Sequence, residues 1–343
     1  MKPIIAESAT IADALQLINT IAADTQILIV VDGEGRVAGT LSDGDVRRGL
    51  LGGIAISEPV SRVCHRNFRF IYADEFSVQR LRTLRVGKFQ IIPILNRSGL
   101  LVDIINLGQI RSRLPIDAVL MAGGKGERLR PLTDSTPKPL LPVGDKCIID
   151  HYVDRLIAYG VNHISVTVNY LREQIQAHFA EPRSGVKINT VAEPQFLGTI
   201  GSVTLIPDFS HDVVLVMNSD LFTNIDYEDF YLHFIDNHAD MSVAAIPYNV
   251  SIPYGILELN DQRVTGLLEK PCYTYYANAG IYLIRREALS LIPRDRFFNA
   301  TDLIEALIAQ QRTVVRYPLN GTWIDIGTPQ EYQKAIDLAQ HLR

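Results

Sequence analysis

Apolar and polar positions along this chain fall into two regimes. In the first 110 residues the pattern repeats. Thr25-Gln-Ile-Leu-Ile-Val-Val-Asp-Gly-Glu-Gly returns as Phe89-Gln-Ile-Ile-Pro-Ile-Leu-Asn-Arg-Ser-Gly, an offset of 64 residues (from position 25 to position 89). Each copy predicts an amphipathic helix (residues 11–21, then 77–85) that leads into an apolar strand. A turn at Asp32-Gly33 or at Asn96 to Gly99 follows, then a second strand and a short helix. One such copy cannot bury both its helix and its sheet faces, so two packed face to face are expected. Gly33-Glu-Gly35-Arg-Val-Ala38 spells GxGxxA after a strand. A dinucleotide site needs a helix to begin there, whereas residues 37–41 read as a strand, so a hairpin is expected.

After a short linker at Arg111-Ser-Arg-Leu-Pro115 the character changes. Apolar strand patterns begin at residues 116–121 and recur at 163–168, 187–191, 213–217, 241–246, 255–259, 279–284 and 313–317. Helical patterns fit 148–159, 171–180, 227–237, 300–310 and 329–340. This alternation predicts an α/β domain with a largely parallel sheet, whose ligands gather beyond the carboxyl ends of the strands. The expected division is residues 1–112, a linker at 113–116, and residues 117–343.

Composition narrows the function. Lys plus Arg number 33 and Asp plus Glu 38, a net charge of −5 that carries no footprint of a general nucleic-acid binder. The apolar runs at Ile27–Val31 and 213–217 are far shorter than the ~20 residues that span a bilayer. The opening Met1-Lys-Pro-Ile-Ile-Ala-Glu7 meets charge too early for a signal peptide. Cys64, Cys147 and Cys272 are isolated, with no CxxC or Cys/His spacing. They argue against a disulfide framework or a zinc site and fit a reducing, cytoplasmic setting.

The chemistry is concentrated in Leu120-Met-Ala-Gly-Gly-Lys-Gly-Glu-Arg-Leu-Arg-Pro-Leu-Thr133 and Thr136-Pro-Lys-Pro-Leu-Leu-Pro142. Gly123, Gly124 and Gly126 leave backbone amides uncovered for a phosphate or a base. Arg128 offers a planar fork of donors and Lys138 a compact charge, with Pro137 and Pro139 restricting the backbone beside it. There is no GxxxxGK[ST], which excludes a P-loop. Position 129 is Leu, so the dinucleotide fingerprint fails as well.

Over residues 117–343 these two segments resemble the signature of the sugar-1-phosphate nucleotidyltransferases. The resemblance implies a Rossmann-like, GT-A-like fold and a transfer from a nucleoside triphosphate to a sugar-1-phosphate with loss of pyrophosphate. It places the nucleotide at Ala122, Gly123, Gly124, Lys125 and Gly126, with the base read by Glu193 and Gly198 of Glu193-Pro-Gln-Phe-Leu-Gly198. It gives Arg128, Lys138 and Lys270 the catalytic cations. Mg2+ is implied on Asp220 and Asp325, which end Val213-Val-Leu-Val-Met-Asn-Ser-Asp220 and Thr322-Trp-Ile-Asp325. Two hard carboxylates suit an ion that also bridges phosphates. Gly255, Glu269, Lys270 and Asn278 are implied on the sugar-phosphate side. Trp323, the only tryptophan, either walls the sugar or packs in the core.

The first 112 residues resemble a tandem cystathionine-β-synthase (CBS) pair, an α+β module. In Gly39-Thr-Leu-Ser-Asp-Gly-Asp-Val-Arg-Arg48 the resemblance assigns Ser42 and Asp45 to a regulatory adenine nucleotide. The 64-residue offset turns these into Asn106 and Gln109, so the second copy departs from the pattern. Fusion of the two parts is similar to bacterial guanylyltransferases that make GDP-glucosamine or GDP-heptoses for surface glycans. That favours GTP, with UTP, CTP and dTTP as alternatives, and homo-oligomers as the expected state. A non-catalytic nucleotide sensor and an NDP-sugar-consuming glycosyltransferase are the competing classes.

Overall fold

The three- and four-residue spacing of Ile11, Ala14, Ile18 and Ile21 puts them on one face of a helix, and all four are buried. That helix, α1 (Ile11–Ile21), follows β1 (Ile4–Ala6). Strand β2 (Ile27–Val31) lies parallel to β1 and antiparallel to β3 (Val37–Ser42), from which α2 (Asp43–Leu51) departs. The second copy repeats this order in β4 (Ile71–Tyr72), α3 (Val78–Val86), β5 (Ile91–Leu95) and β6 (Leu101–Asn106). The computed structural model describes residues 3–21, 26–87 and 89–341. Thr25, which opens the first repeat string, lies outside them, as do positions 1–2 and 342–343 of the expected domain limits.

The repeat holds down to single bonds. The register shifts between Val30 and Val31 in the first copy and between Ile94 and Leu95, 64 positions on, in the second. Asp32 Oδ1 accepts from the amides of Glu34 and Arg36, and Asn96 Oδ1 accepts from those of Ser98 and Leu100. Gly33 to Gly35 is therefore a hairpin turn, with Gly35 at φ +78. The short helix expected after the second strand forms only in the first copy. There Ser42 and Asp45 close a capping box that satisfies the first turn of α2. In the second copy Asn106 accepts from Gly108 instead, and the chain turns through Ile110 into the linker.

The chain divides into two compact units, Met1–Arg113 with Ala158–Gly160, and Leu114–Ile157 with Val161–Arg343. The second unit runs β7 (Asp117–Ala122), β8 (Pro142–Val143), β9 (Lys146–Cys147), α4 (Ile148–Ala158), β10 (His163–Val168), α5 (Arg172–His178) and β11 (Ile188–Ala192). It continues with β12 (Val213–Asn218), β13 (Leu221–Thr223), α6 (Tyr227–Asp236), β14 (Met241–Ser251), β15 (Ile256–Asn260), β16 (Arg263–Leu268) and β17 (Cys272–Arg285). It ends with α7 (Ala300–Ala309), β18 (Val314–Pro318), β19 (Trp323–Asp325) and α8 (Pro329–His341).

Seven of these strands form one sheet in the order β11-β10-β7-β12-β17-β14-β18, and only β17 runs against the rest. The fold is a mixed, mainly parallel α/β sheet. Continuous apolar runs such as 213–217 are buried throughout, as strands covered on both faces require. Val214, Val216, Met241 and Ile284 meet Leu303 and Leu307 of α7 in one core cluster.

Two strands run longer than their sequence patterns. The run expected at 279–284 is the inner half of the 14-residue β17, and that at 241–246 is the inner half of β14. Their outer halves are exposed, so no burial periodicity marks them. Strand β16 is exposed in the same way and carries no strand pattern expected from the sequence.

Candidate active site

Parallel strands that end in register create the site. Val168 of β10 pairs with Ala122 of β7 and with Ala192 of β11, and Asn218 of β12 pairs with Met121. Four carboxyl ends therefore share one edge, and a cleft of about 570 Å3 opens beyond them. It is lined by Ala122, Gly123, Gly124, Lys125 and Gly126, then by Arg128, Lys138, Glu193, Gly198 and Asp220. These residues were singled out from scattered segments, and the fold gathers them.

The loop after β7 is held from behind. Gly126 sits at φ +63, and its carbonyl accepts from Thr133 Oγ1 at 2.9 Å. Tyr170 Oη in turn donates to the Thr133 carbonyl at 2.9 Å. Gly123 has no room for a side chain, because a Cβ there stands 2.6 Å from Glu193 Oε1. The glycine thus lets the backbone lie directly against the Glu193 carboxylate. Glu193 is buried at the end of β11 and accepts from the Leu197 amide at 3.3 Å. Burial pushes its pKa above the usual carboxylate range.

The charged floor is assembled by two short strands. Leu221 of β13 pairs with Asp325 of β19, and the Ile326 amide donates to the Asp220 carbonyl at 3.0 Å. This brings Asp220 beside Asp325. Lys138, buried in a turn between prolines, places Nζ 2.6 Å from Asp220 Oδ2. Arg128 Nη2 lies 4.0 Å from Asp325 Oδ2, and its guanidinium packs against the open face of Gly327. Burial, and next the Asp220 charge, raise the Asp325 pKa, against the pull of Lys138 and Arg128.

Two buried oxygens here have no hydrogen-bond partner, Asp220 Oδ1 and the hydroxyl of Tyr152 on α4. Tyr152 is fully buried; its pKa is raised by that burial first and then by the Asp220 charge. An orphaned carboxylate oxygen beside a second carboxylate, both hard donors, fits a divalent cation such as Mg2+.

None of the five sugar-phosphate candidates is among the residues that line the cleft, but Trp323 shares β19 with Asp325, and Asn278 bonds to Gly280, which packs against the cleft residue Asn218. Gly255 sits against Glu269 Oε2, with 3.2 Å to an added Cβ. Lys270 follows at φ +45, a left-handed conformation that few non-glycine residues adopt. Asn278 Oδ1 accepts from the Gly280 amide at 2.9 Å, and Trp323 Nε1 donates to the Ala279 carbonyl at 2.9 Å. Trp323 is half-buried, and its indole ties β19 to β17 next to Asn278.

Ser42 and Asp45 meet in the other unit. Ser42 Oγ donates to Asp45 Oδ2 at 2.6 Å, and Arg48 is ion-paired with Oδ1. Both side chains serve the helix cap and its ion pair.

Sequence reasoning missed Asn169, Phe196, Thr199, Asn218 and Ser219, which also line the cleft. Ser219 Oγ donates to the Met121 carbonyl at 2.7 Å and locks the end of β12 to β7. Phe196 lay inside the quoted base-reading segment, so its exposed aromatic ring was a legible signal. Cys147, Asp150 and His178 also converge, with ligand-type atoms within 4.8 Å of one another, although no sequence spacing joins them. Asp150 is already ion-paired with Arg183 at 2.7 Å and in hydrogen-bond contact with His178 Nε2 at 2.8 Å.

A glycine loop, fixed cations and paired carboxylates at the carboxyl edge of a parallel sheet make a site chemically suited to nucleotide phosphates. Comparison with known proteins gives this class its family. The nucleotidyl transferase family model matches residues 117–341, and the CBS domain model matches residues 2–52. The chain belongs to the nucleotidyl transferase family and carries an N-terminal CBS domain.

Among curated relatives, the mannose-1-phosphate guanylyltransferase of Mycobacterium tuberculosis is 30% identical over 224 residues, 63% of this chain and 62% of that protein. The bifunctional protein GlmU of Methanocaldococcus jannaschii is 31% identical over 228 residues, 64% of this chain and 53% of that protein. The chain thus spans between half and two thirds of the length of these relatives. HddC from Yersinia pseudotuberculosis shares the fold, at a TM-score of 0.51 and 23% identity over 66% of this chain and 99% of that one. Among the described residues no helix is long and apolar enough to cross a membrane.

Proposed function

We propose that the second unit transfers a nucleotidyl group from a nucleoside triphosphate to a sugar-1-phosphate, giving an NDP-sugar and pyrophosphate. The observation that carries this reading is the Lys138–Asp220 pair beside Asp325 and Arg128, set below the glycine loop. A sugar-phosphate oxygen forms a bond to the α-phosphorus, and the bond from that phosphorus to the bridging oxygen of pyrophosphate breaks. The nucleophile is already ionised at neutral pH, so no side chain need take its proton. The chain's main task is to hold two anions together in line.

Arg128 and Lys138 supply fixed positive charge where the phosphates meet. Lys125 and the amides of the glycine loop bind the triphosphate. Gly255, Glu269, Lys270 and Asn278 are assigned to the sugar phosphate. Asp220 and Asp325 would hold Mg2+, whose chemistry is to neutralise charge building on the leaving pyrophosphate.

The base we assign is guanine. Its Watson–Crick edge carries two adjacent donor groups, whereas uracil and thymine place one N–H between two carbonyls. A carboxylate accepts only, so Glu193 matches guanine and repels the pyrimidine carbonyls. The guanylyltransferase name of the mycobacterial relative supports the same choice. A surface-glycan GDP-sugar of the glucosamine or heptose type is the proposed product. Adenine nucleotide at Ser42 and Asp45 is the proposed regulator, at a carboxylate that Ser42 and Arg48 already hold.

Pyrophosphate release tests the reading. With Mg2+ and a panel of sugar-1-phosphates, turnover is expected with GTP in preference to UTP, CTP and dTTP. No release with any pair overturns the assignment.

A second outcome concerns pH. The raised Asp325 pKa means that the folded state holds this proton more tightly than the unfolded chain. Its contribution to stability is full below the unfolded carboxyl value and is lost as pH rises through the folded one. A cation that binds the ionised pair acts in the opposite sense. The Mg2+-induced rise in Tm is therefore expected to be largest near about pH 7.5 and to shrink toward about pH 5. An Asp325→Asn variant should show a small shift that does not vary with pH. An equal Mg2+ shift at both pH values in the unmodified protein removes Asp325 from the metal site.

A further inference from the structure

A second set of ligand-type side chains converges in the second unit, and its chemistry differs from that of Asp220 and Asp325. Cys147 closes β9 and α4 starts at the next residue, so Asp150 falls in the first turn of the helix. Its Oδ2 accepts from the Cys147 amide at 3.3 Å, which folds the carboxylate back toward the start of the helix. His178 ends α5 and sets Nε2 2.8 Å from Asp150 Oδ1. The three donor atoms are a sulfur, a nitrogen and an oxygen, and all lie within 4.8 Å of one another. Among the described residues no other three His, Cys, Asp or Glu side chains converge in this way. No Cys/His spacing marks the set, because His178 arrives on a different helix.

Spacing, access and donor type all suit an ion. A tetrahedral Zn2+ with bonds of about 2.0–2.3 Å holds its ligand atoms roughly 3.3–3.8 Å apart, so side-chain shifts of about 1 Å close the set. The Asp150 side chain is 7% exposed and anchored, whereas that of His178 is 26% exposed and opens the set to solvent. A thiolate and an imidazole are borderline-soft donors, which favour Zn2+ over the hard, oxygen-seeking Mg2+. Arg183 is the competitor, with Nη1 2.7 Å from Asp150 Oδ1. The same guanidinium holds Asp154 through two nitrogens, Nε at 2.5 Å and Nη2 at 3.3 Å. It can therefore release Asp150 and stay paired.

We propose that Cys147, Asp150 and His178 form a Zn2+ site with water as the fourth ligand, in which the ion and the Arg183 guanidinium compete for Asp150. On binding, the Cys147 thiol loses its proton to solvent and its sulfur bonds to the ion. The His178 ring keeps its one proton on Nδ1 and donates the Nε2 lone pair. The Asp150 carboxylate exchanges the hydrogen bond from Arg183 Nη1 for a bond to zinc. Burial, and next the Asp150 charge, push the Cys147 thiol up, so without the ion it holds its proton. The water-filled fourth position makes the ion exchangeable rather than locked in. Once bound, the ion ties the start of α4 to the end of α5. The inference does not depend on the transfer reaction proposed above.

Cobalt titration of the full chain tests it, since Co2+ accepts zinc geometry and reports a thiolate ligand by a charge-transfer band in the near ultraviolet. One Co2+ per chain is expected, with the strong visible bands of a tetrahedral ion. Zn2+ should displace it and excess Mg2+ should not. Cys147→Ser should abolish the charge-transfer band. His178→Gln should weaken binding at least about 100-fold. Arg183→Gln should tighten it about 10-fold, an effect opposite in sign to that of lost structure. The double variant Cys64→Ser/Cys272→Ser leaves Cys147 as the one thiol of the chain and should keep the band.

No charge-transfer band at up to about 1 mM Co2+ overturns the proposal. So does a band that Cys147→Ser keeps or that Cys64→Ser/Cys272→Ser loses, and so does an Arg183→Gln protein that binds no more tightly than the unmodified one. Should the variants misfold, X-ray absorption of the zinc-loaded unmodified protein still decides. One sulfur at about 2.3 Å with lighter neighbours at about 2.0 Å is expected, and a shell without sulfur overturns the proposal.

Discussion

Replacing Lys138 with methionine is expected to lower kcat/KM by about 10²–10³-fold, the loss typical when one preorganised group is removed from a developing charge. The substitution keeps the stem of the side chain and deletes only its charge. Lys138 is among the few buried charged residues, and its ammonium is fixed on Asp220 at 2.6 Å. Two consequences follow from its loss. Positive charge is removed from the place where the proposed transfer brings two phosphate esters together. Asp220 also loses its partner while Asp325 remains beside it, so the site becomes more repulsive to both substrates.

The stability cost should be only about 1–3 kcal/mol, because Asp220 keeps part of its hydration. A thermal melt therefore separates lost chemistry from lost fold. The double variant Lys138→Met/Asp220→Asn should recover much of the lost Tm and none of the lost rate, since it removes the unpaired carboxylate without restoring the cation. A rate within about threefold of the unmodified protein removes Lys138 from the catalytic group.

Converting Glu193 to glutamine is expected to change which triphosphate the protein accepts. The amide oxygen of glutamine still accepts from the Leu197 amide, so the local turn is kept. The second oxygen becomes an N–H2 donor, which opposes one guanine donor and meets a pyrimidine carbonyl favourably. Buried groups left unpaired discriminate strongly, so the ratio of kcat/KM for GTP over UTP should fall by about 10²-fold or more. Because Gly123 lies against this carboxylate, Gly123→Ala should depress turnover with every base, a control that separates access from discrimination. An unchanged preference in the Glu193→Gln protein overturns its role in reading the base.

The glycine loop was legible because its signal is local. Gly123, Gly124 and Gly126 precede Arg128 at fixed spacing, and the same backbone that spells the motif forms the cradle. The 64-residue repeat was legible for a similar reason, since Asp32 and Asn96 each close their own turn. The capping box of Ser42 and Asp45 could have been read from its spacing as a helix start, which is how the structure uses it. The sugar-phosphate candidates were named from their motifs, and how β17 and β19 bring Asn278 and Trp323 beside Asn218 and Asp325 was not in those motifs. Motif order carries no information about how far β14 and β17 run past the sheet.

Periodicity and turn chemistry depend on neighbours within a few residues, so the sequence alone determined the alternating α/β order, the internal repeat and the glycine-rich loop. Only the tertiary structure decided that Lys138 meets Asp220, 82 positions away, and that a three-residue pairing of β13 with β19 sets Asp325 beside them. Strands that short leave no periodic trace, and the attraction between distant charges acts only after the sheet has brought their chains together.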